Sequence, residues 1–206
     1  MEHYFTNNEN LKSEIRTINY SYDANDFVFL SDLGVFSKDK IDYGSKVLVE
    51  NYLKYNHNNK KILDVGCGYG FIGIVLSKVT NSYVEMVDVN KRALHLTERN
   101  INENKVNAKA YMSDAYQSVK DKYDVIITNP PIRAGKEKVL EILNGSVEHL
   151  NPGGELWFVI RKDQGAKSIV KVLNKELIVE NTEKSKGFYI FRAKKYWKVY
   201  SFLIIL

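Results

Sequence analysis

Asp64-Val65-Gly66-Cys67-Gly68-Tyr69-Gly70 is the segment whose residue types and spacing speak first of chemistry. Glycines at alternate positions permit positive φ and let the backbone approach a ligand with no Cβ in the way. A dinucleotide fingerprint would place its third glycine at position 71, which is phenylalanine, so the turn is not shaped to cradle a pyrophosphate. Asp88 ends the next apolar run, where a carboxylate can accept both hydrogen bonds of a ribose diol. Asp114, in Ser113-Asp114-Ala115, closes the run after that; an acid there could receive an adenine amino group, with Ala115 as a small neighbour. Asn129-Pro130-Pro131 follows the fourth run. An exocyclic purine amine is a poor nucleophile because its lone pair is delocalised into the ring. The Asn129 amide oxygen and the Pro130 carbonyl, held by prolines that fix φ, could accept its two N–H hydrogens as the nitrogen pyramidalises.

The elements that must position these residues alternate. Lys61 to Val65 reads as a strand running into the glycines, and Phe71 to Val79 as a helix. Tyr83 to Val89 is a second strand, Lys91 to Asn104 a helix with Ala93, Leu94, Leu96 and Ile101 on one face, and Ala108 to Met112 and Tyr123 to Thr128 two more strands. Lys136 to Leu150 is helical until Asn151-Pro152-Gly153-Gly154 stops it. Glu155 to Ile160 is a strand, Gln164 to Leu173 an amphipathic helix, and Leu177 to Glu183 with Gly187 to Ala193 an antiparallel hairpin. Strands alternating with helices predict an α/β, doubly wound, mostly parallel sheet with its ligand beyond the carboxyl ends of the strands. Before Lys60 the pattern is weaker: Asn19 to Leu30 alternates aromatic and polar residues, and Lys46 to Tyr55 reads as a helix. The expected division is a small N-terminal extension over residues 1–58 that packs on or caps the site, a catalytic domain over 59–195, and a tail over 196–206.

With Asp64 to Gly70, Asp88, Asp114 and Asn129-Pro130-Pro131-Ile132-Arg133-Ala134-Gly135-Lys136 in this order, the sequence resembles the methyltransferase small domain family. Within it, the likeness is to the bacterial small-subunit ribosomal RNA guanine-N2 methyltransferases, and the glycine turn resembles motif I of S-adenosylmethionine-dependent methyltransferases. Gly34-Val35-Phe36-Ser37-Lys38 and Asp42-Tyr43-Gly44 resemble the stretch those enzymes place ahead of motif I. The resemblance implies a Rossmann-like methyltransferase fold and S-adenosylmethionine held by Asp64, Gly66, Gly68, Gly70, Asp88, Asp114 and Ala115. It implies a guanine amino group held by Asn129 and Pro130 beside Pro131, with Ile132, Arg133 and Lys136 toward the substrate. The methyl group already sits on a sulfonium, so no nucleophilic side chain is required and positioning supplies much of the rate.

Two departures narrow the expectation. Larger members carry a second, degenerate domain that helps hold RNA, whereas this chain has room for one domain, which points to a dimer or to a pre-assembled particle as substrate. Position 132 is isoleucine where adenine-N6 and glutamine-N5 enzymes usually carry a stacking aromatic. The expected function is methylation of guanine N2 in small-subunit ribosomal RNA, with the RNA or the small subunit as partner. The alternatives are N-methylation of a protein glutamine or a small molecule, and a non-catalytic RNA-binding relative.

Composition sets the bounds. The 206 residues are 44% apolar and 27% charged with net charge +5, which excludes collagen-like, disordered and disulfide-scaffold classes and makes a polyanionic partner plausible. The single cysteine, Cys67, cannot form an internal disulfide, no Cys/His set has zinc spacing, and no metal is expected. The N-terminus lacks the pattern of a secretion signal, and the apolar run Phe202 to Leu206 is far short of the ~20 residues that span a bilayer. A monomer or homodimer in the cytoplasm is expected. Arg161 and Lys162 could face phosphates, and Tyr69 and Phe36 could stack on a base.

Overall fold

The computed structural model describes residues 12–55 and 58–195. The apolar tail, with His3 and His57, lies outside the described residues. Two strands, β1 (Arg16–Tyr22) and β2 (Asn25–Ser31), form an antiparallel hairpin ahead of helix α1 (Tyr43–Tyr52). The alternating elements follow as β3 (Lys61–Val65), α2 (Phe71–Thr80), β4 (Tyr83–Asp88), α3 (Lys91–Asn104), β5 (Ala108–Met112) and β6 (Tyr123–Thr128). After a short 3-10 turn (Ile132–Ala134) come α4 (Lys136–His149), β7 (Leu150–Arg161), α5 (Ala166–Leu173), β8 (Leu177–Ser185) and β9 (Phe188–Lys195).

The main sheet has seven strands in the order β5-β4-β3-β6-β7-β9-β8, parallel from β5 to β7, with β9 antiparallel to both of its neighbours. The expected late hairpin is present, but its second strand inserts between β7 and β8, so β8 forms the edge. The chain winds outward from β3 in one direction and from β6 in the other. The carboxyl ends of these two neighbours form the switch point at which such sheets bind ligands.

Both faces of the sheet are covered, which explains the near-continuous apolar runs of its central strands. On one face Leu48 of α1, Ile74 and Leu76 of α2 and Leu96 of α3 join the strand residues Ile62, Val125 and Trp157. On the other, Val139 and Leu143 of α4 and Ile169 and Leu173 of α5 pack on Leu63, Ile126 and Phe158. Each such side chain, removed fully from water, contributes about 1.5–3 kcal/mol.

The alternating segment near the N-terminus is a hairpin whose inner face carries Ile18, Tyr20, Phe27 and Phe29, all part of the first core. Its attachment uses side chains in place of a strand. Asn104 of α3 accepts from the Val28 N–H at 3.1 Å and donates to the Val28 carbonyl at 2.8 Å, while Asn100 accepts from the Leu30 N–H at 2.7 Å and donates to its carbonyl at 3.0 Å. These amides satisfy the free edge of β2 as a neighbouring backbone would.

The starts of α1 and β7 differ from the expectation. Helix α1 starts at Tyr43 rather than Lys46 because Asp42 caps it, accepting from the Ser45 N–H at 2.8 Å. Strand β7 starts at Leu150, and Asn151 to Gly154 form a bulge within it: Tyr123 pairs with Leu150 and Val125 with Glu155. A Cβ on Gly154 would lie 2.9 Å from the Asn151 carbonyl oxygen and 3.1 Å from that of Tyr123, so this crowded bulge requires glycine. Among the described residues, no helix is long and apolar enough to cross a membrane.

Candidate active site

A cavity of about 350 Å³ opens at the switch point, walled by the turns after β3, β4, β5 and β6 and by the loop between β2 and α1. The glycine turn is drawn toward β4 by hydrogen bonds from the N–H groups of Gly66 and Cys67 to the Val87 carbonyl, at 2.8 and 3.0 Å. Gly66 (φ 75°) and Gly68 (φ 57°) are left-handed, and a Cβ on either would meet no atom within 4 Å. Both line the cavity, so the space their side chains would occupy is open to a ligand. Gly70 differs. It precedes α2 at φ 91°, outside the cavity wall, and a Cβ there would lie 2.8 Å from Thr97 Cγ2 and 2.9 Å from Ile74 Cδ1. It permits the close approach of α3 rather than of a ligand.

Asp64 is wholly buried beneath this turn and is not part of the cavity wall. Its Oδ2 accepts from the Gly73 N–H at 3.0 Å, and its Oδ1 is buried without a hydrogen-bond partner. Burial pushes the Asp64 carboxyl up to about 7; the Gly73 N–H opposes this, and the negative charge of Asp88 adds to it. Asp88 stands at the end of β4 and does line the cavity. It accepts from the Gly68 N–H at 2.8 Å and from the Asn90 N–H at 2.9 Å. Burial raises its pKa, and the N–H groups of Asn90, Gly68 and Val89 hold it back.

Asp114 and Ala115 line the opposite wall. Ala115 is left-handed at φ 46°, held by the Ser113 hydroxyl, which donates to its carbonyl at 2.9 Å. Asp114 is ion-paired to Lys138, which also reaches Glu141. Lys138 projects from α4 into the wall, two positions beyond the Lys136 that the sequence points to; Lys136, Arg133 and Ile132 do not line the cavity. Ile132 packs against the second core, while Arg133 and Lys136 are exposed around the 3-10 turn that follows the prolines.

Asn129, Pro130 and Pro131 form the rim at the end of β6. The Thr128 hydroxyl donates to the Val65 carbonyl at 2.7 Å, tying this rim to the start of the glycine turn. The Asn129 side-chain nitrogen donates to Asp42 at 2.9 Å and to the Ser45 hydroxyl at 2.8 Å. Sequence reasoning singled out neither partner for this role.

Phe36 and Ser37 close the remaining side, and Tyr69 also lines the cavity. Their loop is tethered at several points: Asn90 donates to the Gly34 carbonyl at 3.1 Å, and Arg92 reaches the Leu33 carbonyl at 3.0 Å and Asp32 at 3.3 Å. Arg161 and Lys162, exposed at the end of β7, lie outside the wall.

The arrangement can hold a nucleoside with an attached charged chain. Two glycines leave room at the backbone, Asp88 and Asp114 both line the space, and Asp64 lies buried beneath the turn.

The methyltransferase small domain family matches residues 26–192. A Bacillus subtilis (strain 168) relative called uncharacterized protein YbxB is 44% identical over 200 residues, covering 94% of this chain and 98% of that protein. Ribosomal RNA small subunit methyltransferase C of Haemophilus influenzae (strain 86-028NP) is 36% identical over 142 residues, which are 65% of this chain and 42% of that protein. The chain thus spans about two fifths of the length of that relative. The solved structure of a T. thermophilus 16S rRNA N2 G1207 methyltransferase, in complex with AdoMet and guanosine, superposes with a TM-score of 0.82 at 22% identity, covering 90% of this chain and 52% of that one. A Pyrococcus furiosus methyltransferase superposes with a TM-score of 0.68 at 20% identity, covering 79% and 90%. The chain belongs to the methyltransferase small domain family, and its fold is the Rossmann-like one of these solved methyltransferases.

Proposed function

We propose that this protein methylates the exocyclic amine of a purine, guanine N2 of small-subunit ribosomal RNA, with S-adenosylmethionine as donor. The observation that carries the reading is the convergence of Asn129 and Pro130 on the cavity that Gly66, Gly68, Asp88 and Asp114 also line. When bound, S-adenosylmethionine supplies an electrophilic methyl group on a sulfonium. Gly66 and Gly68 would admit the donor close to the backbone, Asp88 would accept from the ribose diol, Asp114 and Ala115 would hold the adenine end, and Asp64 would brace the turn and α2 from beneath through the Gly73 N–H.

Asn129 and the Pro130 carbonyl take the two hydrogens of the acceptor amine. As the nitrogen donates its lone pair to the methyl carbon, it becomes more positive and its N–H groups more acidic, so both hydrogen bonds strengthen on the way to the transition state. The nitrogen–methyl bond forms as the sulfur–methyl bond breaks, and the surplus proton passes from the strongly acidic product amine to solvent. No side-chain nucleophile is needed.

Guanine is favoured over adenine and protein glutamine because Ile132 is aliphatic and packs against the core, leaving no stacking aromatic at that position. The names of the ribosomal RNA relatives and of the T. thermophilus structure support the same choice. Ribosomal RNA or the small subunit is the partner we infer, and residues ahead of 59 serve as the cap through Phe36 and Ser37.

The test is calorimetric titration with S-adenosylmethionine and NADH, followed by tritiated methyl transfer to unmodified small-subunit ribosomal RNA and small subunits. Micromolar binding of the first ligand alone is expected, with label appearing in N2-methylguanine and lost in Asn129→Ala. Label in adenine or in protein would overturn the guanine assignment.

A further inference from the structure

What holds Asn129 decides what it can bind. This inference rests on the reading that Asn129 accepts a hydrogen bond from the methyl-accepting amine. A primary amide has two ends of opposite character, an acceptor oxygen and a nitrogen with two protons to donate. Only the oxygen can serve an amine that arrives hydrogen-first, so the rotation of the amide matters as much as its position.

The side away from the acceptor sets that rotation. Asn129 Nδ2 lies 2.9 Å from Asp42 Oδ2 and 2.8 Å from Ser45 Oγ. An ionised carboxylate has no proton to give, so the amide can meet Asp42 only with its nitrogen. Both Nδ2 hydrogens are thereby used, and Oδ1 is turned the other way. Asp42 is itself fixed, because the same Oδ2 accepts from the Ser45 N–H at 2.8 Å as the cap of α1, where the helix N-terminus favours a negative charge. The three residues lie in one cavity wall although Asp42 and Asn129 are 87 positions apart in the chain.

We propose that Asp42, supported by Ser45, is the positioning residue that locks the Asn129 amide with its oxygen toward the methyl acceptor. The lock makes the site selective for an acceptor that donates hydrogens, a primary amine, over a ring nitrogen or carbonyl that can only accept. A flipped amide would set its own N–H groups against those of the amine and lose the bond that strengthens in the transition state.

The experiment measures tritiated methyl transfer to in vitro transcribed small-subunit ribosomal RNA by Asp42→Ser and Asp42→Asn. Serine caps helices as well as aspartate, so Asp42→Ser keeps α1 and the melting temperature, but its shorter side chain withdraws the acceptor from Asn129. We expect kcat to fall at least about tenfold, with KM for RNA and the affinity for S-adenosylmethionine within about threefold. In Asp42→Asn one amide oxygen can take over both bonds that Oδ2 accepts, from the Ser45 N–H and from Asn129, so activity should recover several-fold over Asp42→Ser. A role confined to capping α1 predicts wild-type kcat in both variants.

A readout independent of turnover is hydrogen exchange of the Asn129 side-chain amide, assigned by its loss in Asn129→Ala: slow in the wild type and fast in Asp42→Ala is expected. Wild-type kcat in Asp42→Ser, or equal exchange in the wild type and Asp42→Ala, overturns the proposal. Full activity of Asn129→Ala overturns the functional reading instead, whereas an inactive Asn129→Ala beside a fully active Asp42→Ser overturns this inference alone.

Discussion

The backbone N–H of Gly68 donates to the carboxylate of Asp88 at 2.8 Å, so the glycine turn after β3 and the acid ending β4 form a single unit. The bond places the carboxylate beside the turn before any ligand arrives and opposes the burial that raises its pKa. Each carboxylate oxygen has a second lone pair, which leaves Asp88 able to accept from a ribose.

The glycines of the turn should separate into two classes on substitution. Gly68→Ala places a methyl group in open cavity space at φ 57°, so it costs roughly 1–2 kcal/mol of stability for the left-handed backbone. It also occupies space next to the cofactor and should weaken S-adenosylmethionine binding by at least tenfold. Gly70→Ala adds contacts of 2.8 Å with Thr97 and 2.9 Å with Ile74 to the same backbone strain, so it should destabilise by about 2–4 kcal/mol. Denaturant unfolding and calorimetry of both variants read the difference. Equal stability losses would mean that Gly70 is not placed by packing.

Asp64 should make stability fall as pH rises. Its folded-state pKa is raised to about 7 from an ordinary value near 3.8, so between these limits the folded protein holds a proton that the unfolded chain has released. Protonation therefore favours the folded state at low pH, and this advantage is lost as pH climbs from about 4 to about 7, by a few kcal/mol at most. Above about 7 the contribution is constant. Asp64→Asn keeps an oxygen for the Gly73 N–H and removes the titration. Its melting temperature relative to wild type should rise steadily across that window and then level off. A wild-type pH profile in the variant would place the titration elsewhere.

Much of this arrangement is legible in the sequence because it is local. Lys61 to Val65 reads as a strand since a segment buried on both faces is continuously apolar, and α3 has sharp limits because Asn90 caps its start and Lys105 turns left-handed at its end. The acids are readable because each stands at the end of an apolar run. What escapes is set by tertiary approach. Nothing near Asp42 in the chain announces Asn129, and nothing near Asp114 announces Lys138, because the partners meet only once α1 and α4 are docked. The insertion of β9 between β7 and β8 is likewise a pairing of distant segments that alternation of apolar residues cannot rank. Ile132 differs in another way: its place next to the prolines suggests the acceptor, while the 3-10 turn packs it against the second core and outside the cavity wall.

The N-terminal hairpin should be released by removing its side-chain clamp. In Asn104→Ala the Val28 N–H and carbonyl lose both partners on α3, and in Asn100→Ala the Leu30 pair is lost together with a bond to the Tyr69 carbonyl at 2.8 Å. Each half-buried group left unpaired costs about 1–3 kcal/mol. Amide exchange at Val28 should accelerate in the first variant and at Leu30 in the second, with global melting temperatures lowered in both. Because Asn100 also holds the glycine turn through Tyr69, only its variant should weaken cofactor binding. Equal effects on binding would show that the hairpin, rather than the turn, transmits the change.

Arg133 and Lys136 are exposed just past the acceptor rim and outside the cofactor cavity, so their substitution should be felt by RNA alone. A phosphate neutralised by a lysine or arginine releases counterions, which makes affinity fall with salt at a slope of about 0.7–0.9 per contact. Arg133→Ala and Lys136→Ala should each raise KM for ribosomal RNA several-fold at low salt and flatten its logarithmic salt dependence by about one such unit. The affinity for S-adenosylmethionine and kcat at saturating RNA should stay within twofold of wild type. A fall in kcat with an unchanged salt slope would instead mean that these residues shape the rim through the 3-10 turn, where the Gly135 N–H donates to the Ile132 carbonyl at 3.1 Å, and do not meet phosphate.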